Sequence, residues 1–123
     1  MSEISNNSFK NKHSFEDRKA HSSDVINKYP DRLPIVMQRS INDKILGDMD
    51  KIKYLVPNGI TITEFMVILR KRLNVTPSTA IYLYNPDNKV IISGTNTIEY
   101  LYNKYKNEDG FLYIEYCGEN VFG

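Results

Sequence analysis

Apolar positions along this chain fall into two alternating rhythms, and their order predicts the fold. Ser14-Phe15-Glu16-Asp17 has the form of a capping box, a hydroxyl placed to accept from the early N–H groups of a helix. A helix is predicted from Phe15 to about Lys28, ended by Pro30, which pushes its predecessor out of helical geometry. Its apolar side is thin, Phe15, Val25, Ile26 and Tyr29, so it should cover a core from outside. Arg32 to Gln38 alternates, with Leu33, Ile35 and Met37 on one face and Pro34 and Val36 on the other. Pro34 cannot donate to a ladder, which places it near an end or at an unpaired position. After a polar loop around Gly47, Lys51 to Pro57 reads as a second strand closed by the turn Pro57-Asn58-Gly59.

The strongest helical period follows. Thr61 and Glu64 form a second capping box, and Ile62, Phe65, Ile68, Leu69 and Leu73 recur at helical spacing. Thr76-Pro77 predicts a short helical turn, Ile81 to Tyr84 a short strand, and Lys89 to Ile92 a second short extended piece. Thr97 caps a helix carrying Ile98, Leu101, Tyr102 and Tyr105, and a turn at residues 107–110 leads into a final strand, Phe111 to Tyr116. A hairpin, a crossing helix and further strands of one sheet make an α+β fold of ubiquitin-like β-grasp order, with an additional N-terminal helix. Residues 1–13 read as a flexible extension, 14–117 as the domain and 118–123 as a mobile tail.

Composition narrows the function. Sixteen basic against fifteen acidic residues give no long-range field, which argues against nucleic acid as the main partner. The single cysteine excludes an intrachain disulfide and fits a reducing, cytoplasmic setting. No apolar run approaches the ~18 residues that span a bilayer. The first twelve residues hold no apolar core of a secretory signal, so membrane association is expected to be acquired. His13, His21 and Cys117 make no metal-ligand pattern, and no glycine-rich phosphate loop occurs. Nothing local lowers the Cys117 thiol toward a nucleophile, and the carboxylates Glu108 and Asp109 read as solvent-facing turn chemistry. The chain is thus expected to be no enzyme, to need no cofactor and to bind no metal. A terminal glycine at the end of a short polar tail exposes an unhindered carboxylate, suited to a protein that is itself a substrate. Chance or trimming also produces such an end.

Four stretches, taken together, resemble one family. They are Phe15-Glu16-Asp17-Arg18-Lys19-Ala20, Lys53-Tyr54-Leu55-Val56-Pro57, Arg70-Lys71-Arg72, and Asp109-Gly110-Phe111-Leu112-Tyr113 running on to Gly118-Glu119-Asn120-Val121-Phe122-Gly123. They are similar to the ubiquitin-like autophagy modifiers, the group that includes GABARAP, over about residues 14–123. The resemblance implies that Gly123 is activated by an E1-like enzyme, passed to E2-like cysteines and joined to phosphatidylethanolamine, with a deconjugating cysteine protease as a further partner. The chain would be a monomer before conjugation and would sit on an autophagosome or related organelle membrane after it.

The resemblance also implies recognition of cargo receptors through aromatic-x-x-aliphatic motifs added to the edge of the second strand. It lines the aromatic pocket with Val25, Pro34, Val36, Lys53, Leu55 and Phe111. It lines the aliphatic pocket with Tyr54, Val56, Pro57, Ile60, Phe65, Ile68 and Arg72, and Arg32 and Lys51 would meet flanking acids. The alternative reading of Leu55, Phe65 and Ile68 is core packing. Three positions depart from the family's pattern: His21 stands where an acid is common, Ile52 interrupts a basic run, and Asn85 follows Tyr82-Leu83-Tyr84 on a second recognition surface. A non-covalent adaptor of the same fold, binding peptides without lipidation, is the alternative function.

Overall fold

The computed structural model describes residues 8–49 and 51–118. Helices α1 (Phe9–Lys12) and α2 (Phe15–Lys28) precede the hairpin of β1 (Arg32–Arg39) and β2 (Lys53–Pro57). Then come α3 (Ile62–Leu73), β3 (Tyr82–Tyr84), α4 (Ile98–Tyr105) and β4 (Leu112–Cys117). The sheet order is β2-β1-β4-β3. The β1–β2 and β3–β4 pairs are antiparallel, while β1 and β4 run parallel at the centre. A parallel pair needs a crossover, and α3, β3 and α4 supply it. This is the β-grasp arrangement that the order of elements predicts.

The period-2 pattern sorts β1 between two clusters. Ile35 and Met37 face α3 and α4, packing with Phe65, Leu69, Ile98, Leu101 and Ile114. Val36 points the other way, into a smaller cluster with Phe9, Phe111 and Tyr113. Side chains of Ser14, Thr61 and Thr97 each accept the N–H three residues on, which fixes the starts of α2, α3 and α4. Thr61 and Glu64 complete a reciprocal box, and Asn74 in the left-handed region ends α3.

Pro34 is tolerated for a geometric reason. Met37 N–H donates to the Ile52 carbonyl, so odd-numbered β1 amides face β2 and even-numbered positions face β4. The β4 register begins only at Ile35, opposite Leu112. The missing amide of Pro34 therefore falls just before that ladder starts.

Two expectations are corrected and one turn is found where it was expected. Residues 9–12, expected within a flexible lead-in, form a helical turn whose Phe9 is 2% exposed. So short a helix does not hold itself. The Phe9 ring packs edge-on to Phe111 at 5.2 Å, and its amide donates to Gln38 Oε1 at 2.9 Å. Residues 1–7 lie outside the described residues. The short helical turn expected at Thr76-Pro77 is present, closed by Thr79 N–H on the Thr76 carbonyl, and the Arg70 guanidinium takes the Thr79 carbonyl at 2.6 Å. Finally, β2 begins at Lys53 and not Lys51, although Ile52 still contributes its carbonyl to β1.

Candidate functional site

β2 lies at one edge of the sheet. Since the Ile52 carbonyl faces β1, alternation turns the main-chain groups of Lys53 and Leu55 outward, onto the rim. The Leu55 carbonyl accepts there a long contact from the Arg32 guanidinium, at 3.5 Å. Lys53 and Leu55 are half-buried, while Tyr54 and Val56 are buried on the other face.

The residues assigned to the aromatic pocket come together in part. The hairpin pairs Pro34 with Leu55 and Val36 with Lys53, and Val36 and Phe111 share one cluster. Val25 is half-buried on α2, which packs against β1. Phe9, absent from that set, lies among these residues, and the Lys53 ammonium stands 5.9 Å from its ring. Val36 and Phe111 are thus buried, at 0% and 2% exposure, while Val25, Lys53 and Leu55 are half-buried. His21 meets Phe111 edge-on at 5.8 Å. Burial, then the Lys53 ammonium and more weakly His13, lower the His21 pKa against the opposing pull of Asp24.

The aliphatic set divides. Tyr54, Val56 and Phe65 are core residues, with the Tyr54 and Phe65 rings edge to face at 5.9 Å. Ile60 is half-buried against them. Pro57 and Arg72 are exposed, and Ile68 is 41% exposed. Core packing therefore holds for Phe65 and fails for Ile68, whose side of α3 faces outward. Arg32 and Lys51 are both exposed, and Lys51 stands 5.7 Å from the Tyr54 ring. A separate cavity of about 360 Å³ opens between α3 and β3, with Tyr82 and Leu83 in its wall.

Two buried carboxylates organise the loops around this edge, and neither was visible as such in the sequence. Asp109, expected to face solvent, is 0% exposed. It accepts from Arg18 at 2.5 Å, from the Tyr113 hydroxyl at 2.5 Å and from the Phe111 amide at 2.9 Å. Its own carbonyl accepts from the Ser22 hydroxyl. Burial first, and then the bond to Asp109, push the Tyr113 phenol up. Gly110 has φ +90°, and a methyl there would collide with the Ser22 hydroxyl.

Asp43 anchors the loop between β1 and β2. Its carboxylate accepts Arg39 Nε at 2.7 Å and the amides of Ile45, Leu46, Gly47 and Gly118. Burial opposes its charge, but the Arg39 guanidinium and the Gly118, Ile45 and Leu46 amides outweigh it and hold Asp43 at about 2. A carboxyl depressed in the folded state stabilises the fold above its unfolded pKa, and that contribution is lost as pH falls from about 4 toward 2. The expected loss is about 2 kcal/mol of unfolding free energy. Asp43→Asn should abolish this part of the acid dependence, as read by urea unfolding at about pH 5 and pH 2.

Gly118, expected to begin the mobile tail, is buried and donates to Asp43 at 2.8 Å. Residues 119–123, including the candidate attachment point Gly123, lie outside the described residues. Cys117 is a buried free thiol at the end of β4. No helix among the described residues is long and apolar enough to cross a membrane.

Comparison with known proteins agrees with this geometry. The family described as "Autophagy protein Atg8 ubiquitin like" matches residues 17–123. Autophagy-related protein 8 of Mycosarcoma maydis is 41% identical over 115 residues, covering 94% of this chain and 95% of the relative. Autophagy-related protein 8d of Arabidopsis thaliana is 40% identical over 117 residues, covering 94% of each. The crystal structure of Trypanosoma brucei ATG8 superposes with a TM-score of 0.86 at 35% identity, covering 97% of this chain and 100% of the other. Plasmodium falciparum Atg8, solved in complex with a Plasmodium falciparum Atg3 peptide, gives 0.81 at 35% identity over 91% of this chain and 96% of that one.

Proposed function

The chain belongs to the Atg8 family of ubiquitin-like autophagy proteins, and from that premise we propose that it is a modifier joined through Gly123 to phosphatidylethanolamine. The amine of the lipid attacks the carbonyl of a Gly123 thioester held on an E2-like cysteine. The C–N bond forms, the C–S bond breaks, and the amine's proton leaves to the thiolate. A two-chain lipid contributes about 0.8 kcal/mol per buried CH₂ and so anchors the chain stably. The protein is cytoplasmic before this step and lies on an autophagosome or related membrane after it. An E1-like enzyme and a deconjugating cysteine protease complete the cycle. The family's role is that of a modifier, acted on by enzymes.

The same chain binds cargo receptors and conjugation enzymes through aromatic-x-x-aliphatic peptides added to β2. The observation that carries this reading is the rim itself: β2 is an edge strand, and alternation turns the main-chain groups of Lys53 and Leu55 outward, where an extended peptide can pair with them. The Atg3 peptide bound to the Plasmodium falciparum relative supports a conjugation-enzyme peptide as one such ligand. Each filled pocket is worth about 1.5–3 kcal/mol at most, so binding is micromolar and exchangeable.

Conjugation is tested by incubating the chain with its E1-like and E2-like enzymes and phosphatidylethanolamine vesicles. A mass gain of one lipid is expected, and an unchanged mass refutes the reading. For the peptide site, Ile68→Ala is expected to weaken a motif peptide about fivefold in calorimetry, the share of one half-exposed aliphatic contact. Thermal stability should stay near wild type, because Ile68 is 41% exposed. Unchanged affinity would remove Ile68 from the pocket.

A further inference from the structure

The loop between β1 and β2 is wound around a single carboxylate, and one of its ligands comes from the far end of the chain. Ile45, Leu46 and Gly47 turn their amides onto Asp43, and Arg39 neutralises it from the side. The Gly118 amide joins them across 75 positions of sequence. Tyr116 locks the same loop to β4 from below: its hydroxyl accepts the Met49 amide and donates to the Gly47 carbonyl. Gly118 fits because it lacks a side chain. A methyl there would stand 2.6 Å from Ile45 Cβ and 3.1 Å from Leu46 Cγ. None of this is needed to terminate a strand. It fixes one residue beyond β4, at the base of the segment that carries Gly123.

We propose that Asp43 is a positioning residue for conjugation: by clasping the Gly118 amide against Ile45, it fixes the origin from which residues 119–123 reach an enzyme. This rests on the reading of Gly123 as the attachment point. Five residues span at most about 18 Å from that origin. An enzyme that draws the terminal carboxylate into its active site needs the chain held from that origin onward. With Gly118 already fixed by Asp43, its ordering is no part of the cost of capture. Releasing it adds the backbone entropy of one residue to the cost of capture, about a fivefold loss in affinity for the tail. The chemistry at the carbonyl is untouched, so the effect belongs to KM and not to kcat.

Two variants open the clasp from opposite sides. Asp43→Ala removes the acceptor, and Gly118→Ala pushes the tail base off Ile45 while leaving the carboxylate in place. The full chain is charged onto the E2-like enzyme by the E1-like enzyme, and thioester formation is followed against chain concentration. Both variants should raise KM about fivefold with kcat within about twofold of wild type. Amide exchange of Gly118, slow in the wild type, should become as fast as open chain in Asp43→Ala. Affinity of a motif peptide for β2 should not move in Gly118→Ala. Wild-type KM or faster charging in Gly118→Ala overturns the inference, even where Asp43→Ala has also lowered thermal stability. So does fast Gly118 exchange in the wild type. A wild-type chain that is never charged refutes the attachment reading instead, and Gly118 exchange then judges the clasp alone.

Discussion

Gly123→Ala should lose conjugation to phosphatidylethanolamine by about a hundredfold or more while binding motif peptides as well as the wild type does. In the proposed conjugation the Gly123 carbonyl carbon is the atom attacked, so the neighbouring α-carbon would lie inside the catalytic centre. Glycine there presents two hydrogens and accepts backbone angles closed to other residues. A methyl group displaces the carbonyl from the line of attack, and a misplacement of about 1 Å costs an acyl transfer on the order of a hundredfold. The proposed peptide site draws on α2, β1, β2, α3 and Phe111 and not on Gly123. Lipid transfer is read by mass after incubation with the E1-like and E2-like enzymes, and peptide affinity by calorimetry on the same sample. If the variant is lipidated at the wild-type rate, the chain is not conjugated through this residue. The non-covalent adaptor, which needs no terminal glycine, would then account for the retained peptide binding.

The sequence discloses what depends on near neighbours. Ser14, Thr61 and Thr97 place the starts of α2, α3 and α4 because a cap needs only the amide three residues on. Alternation assigns the two faces of β1 and β2 because the pleat is a local property. The features that were missed are set by distant partners. Phe9 in a polar lead-in has no periodic companion, and its burial depends on Phe111 and Tyr113 at the other end of the chain. Asp109 in Asn107-Glu108-Asp109-Gly110 reads as a turn residue, yet its Arg18 partner is 91 positions away. Asp43 in a polar loop is likewise buried by Arg39 and by Gly118, the latter 75 positions away. The residues assigned to the two proposed pockets follow from family resemblance. Only their arrangement in space separates Phe65, wholly inside, from Ile68, which faces outward.

Asp109→Ala should destabilise the fold by about 3–4 kcal/mol and weaken peptide binding at a distance. The substitution removes the acceptor of three donors at once: Arg18, whose side chain is 11% exposed, the Tyr113 hydroxyl and the Phe111 amide. A nearly buried cation left without its partner costs about 3–5 kcal/mol, far more than a surface ion pair is worth. Part of that cost can be relieved by releasing α2. This helix has little apolar attachment: Phe15 and Tyr29 are 42% and 48% exposed, and Ser22 is its only buried residue. What holds its first half is polar, through Arg18, Lys19 on the Glu108 carbonyl and Ser22 on the Asp109 carbonyl. Urea unfolding should therefore show the lower stability. Amide exchange should rise in α2 before it rises in α3, which is anchored by the fully buried Phe65 and Leu69. Asp109→Asn keeps an acceptor for the Phe111 amide but cannot neutralise Arg18, so it should fall between wild type and alanine. Because Val25 rides on α2, loosening this helix should disturb the proposed aromatic pocket and reduce peptide affinity in parallel with α2 protection. Retained affinity alongside lost α2 protection would place the aromatic contact on β1, β2 and Phe111 alone.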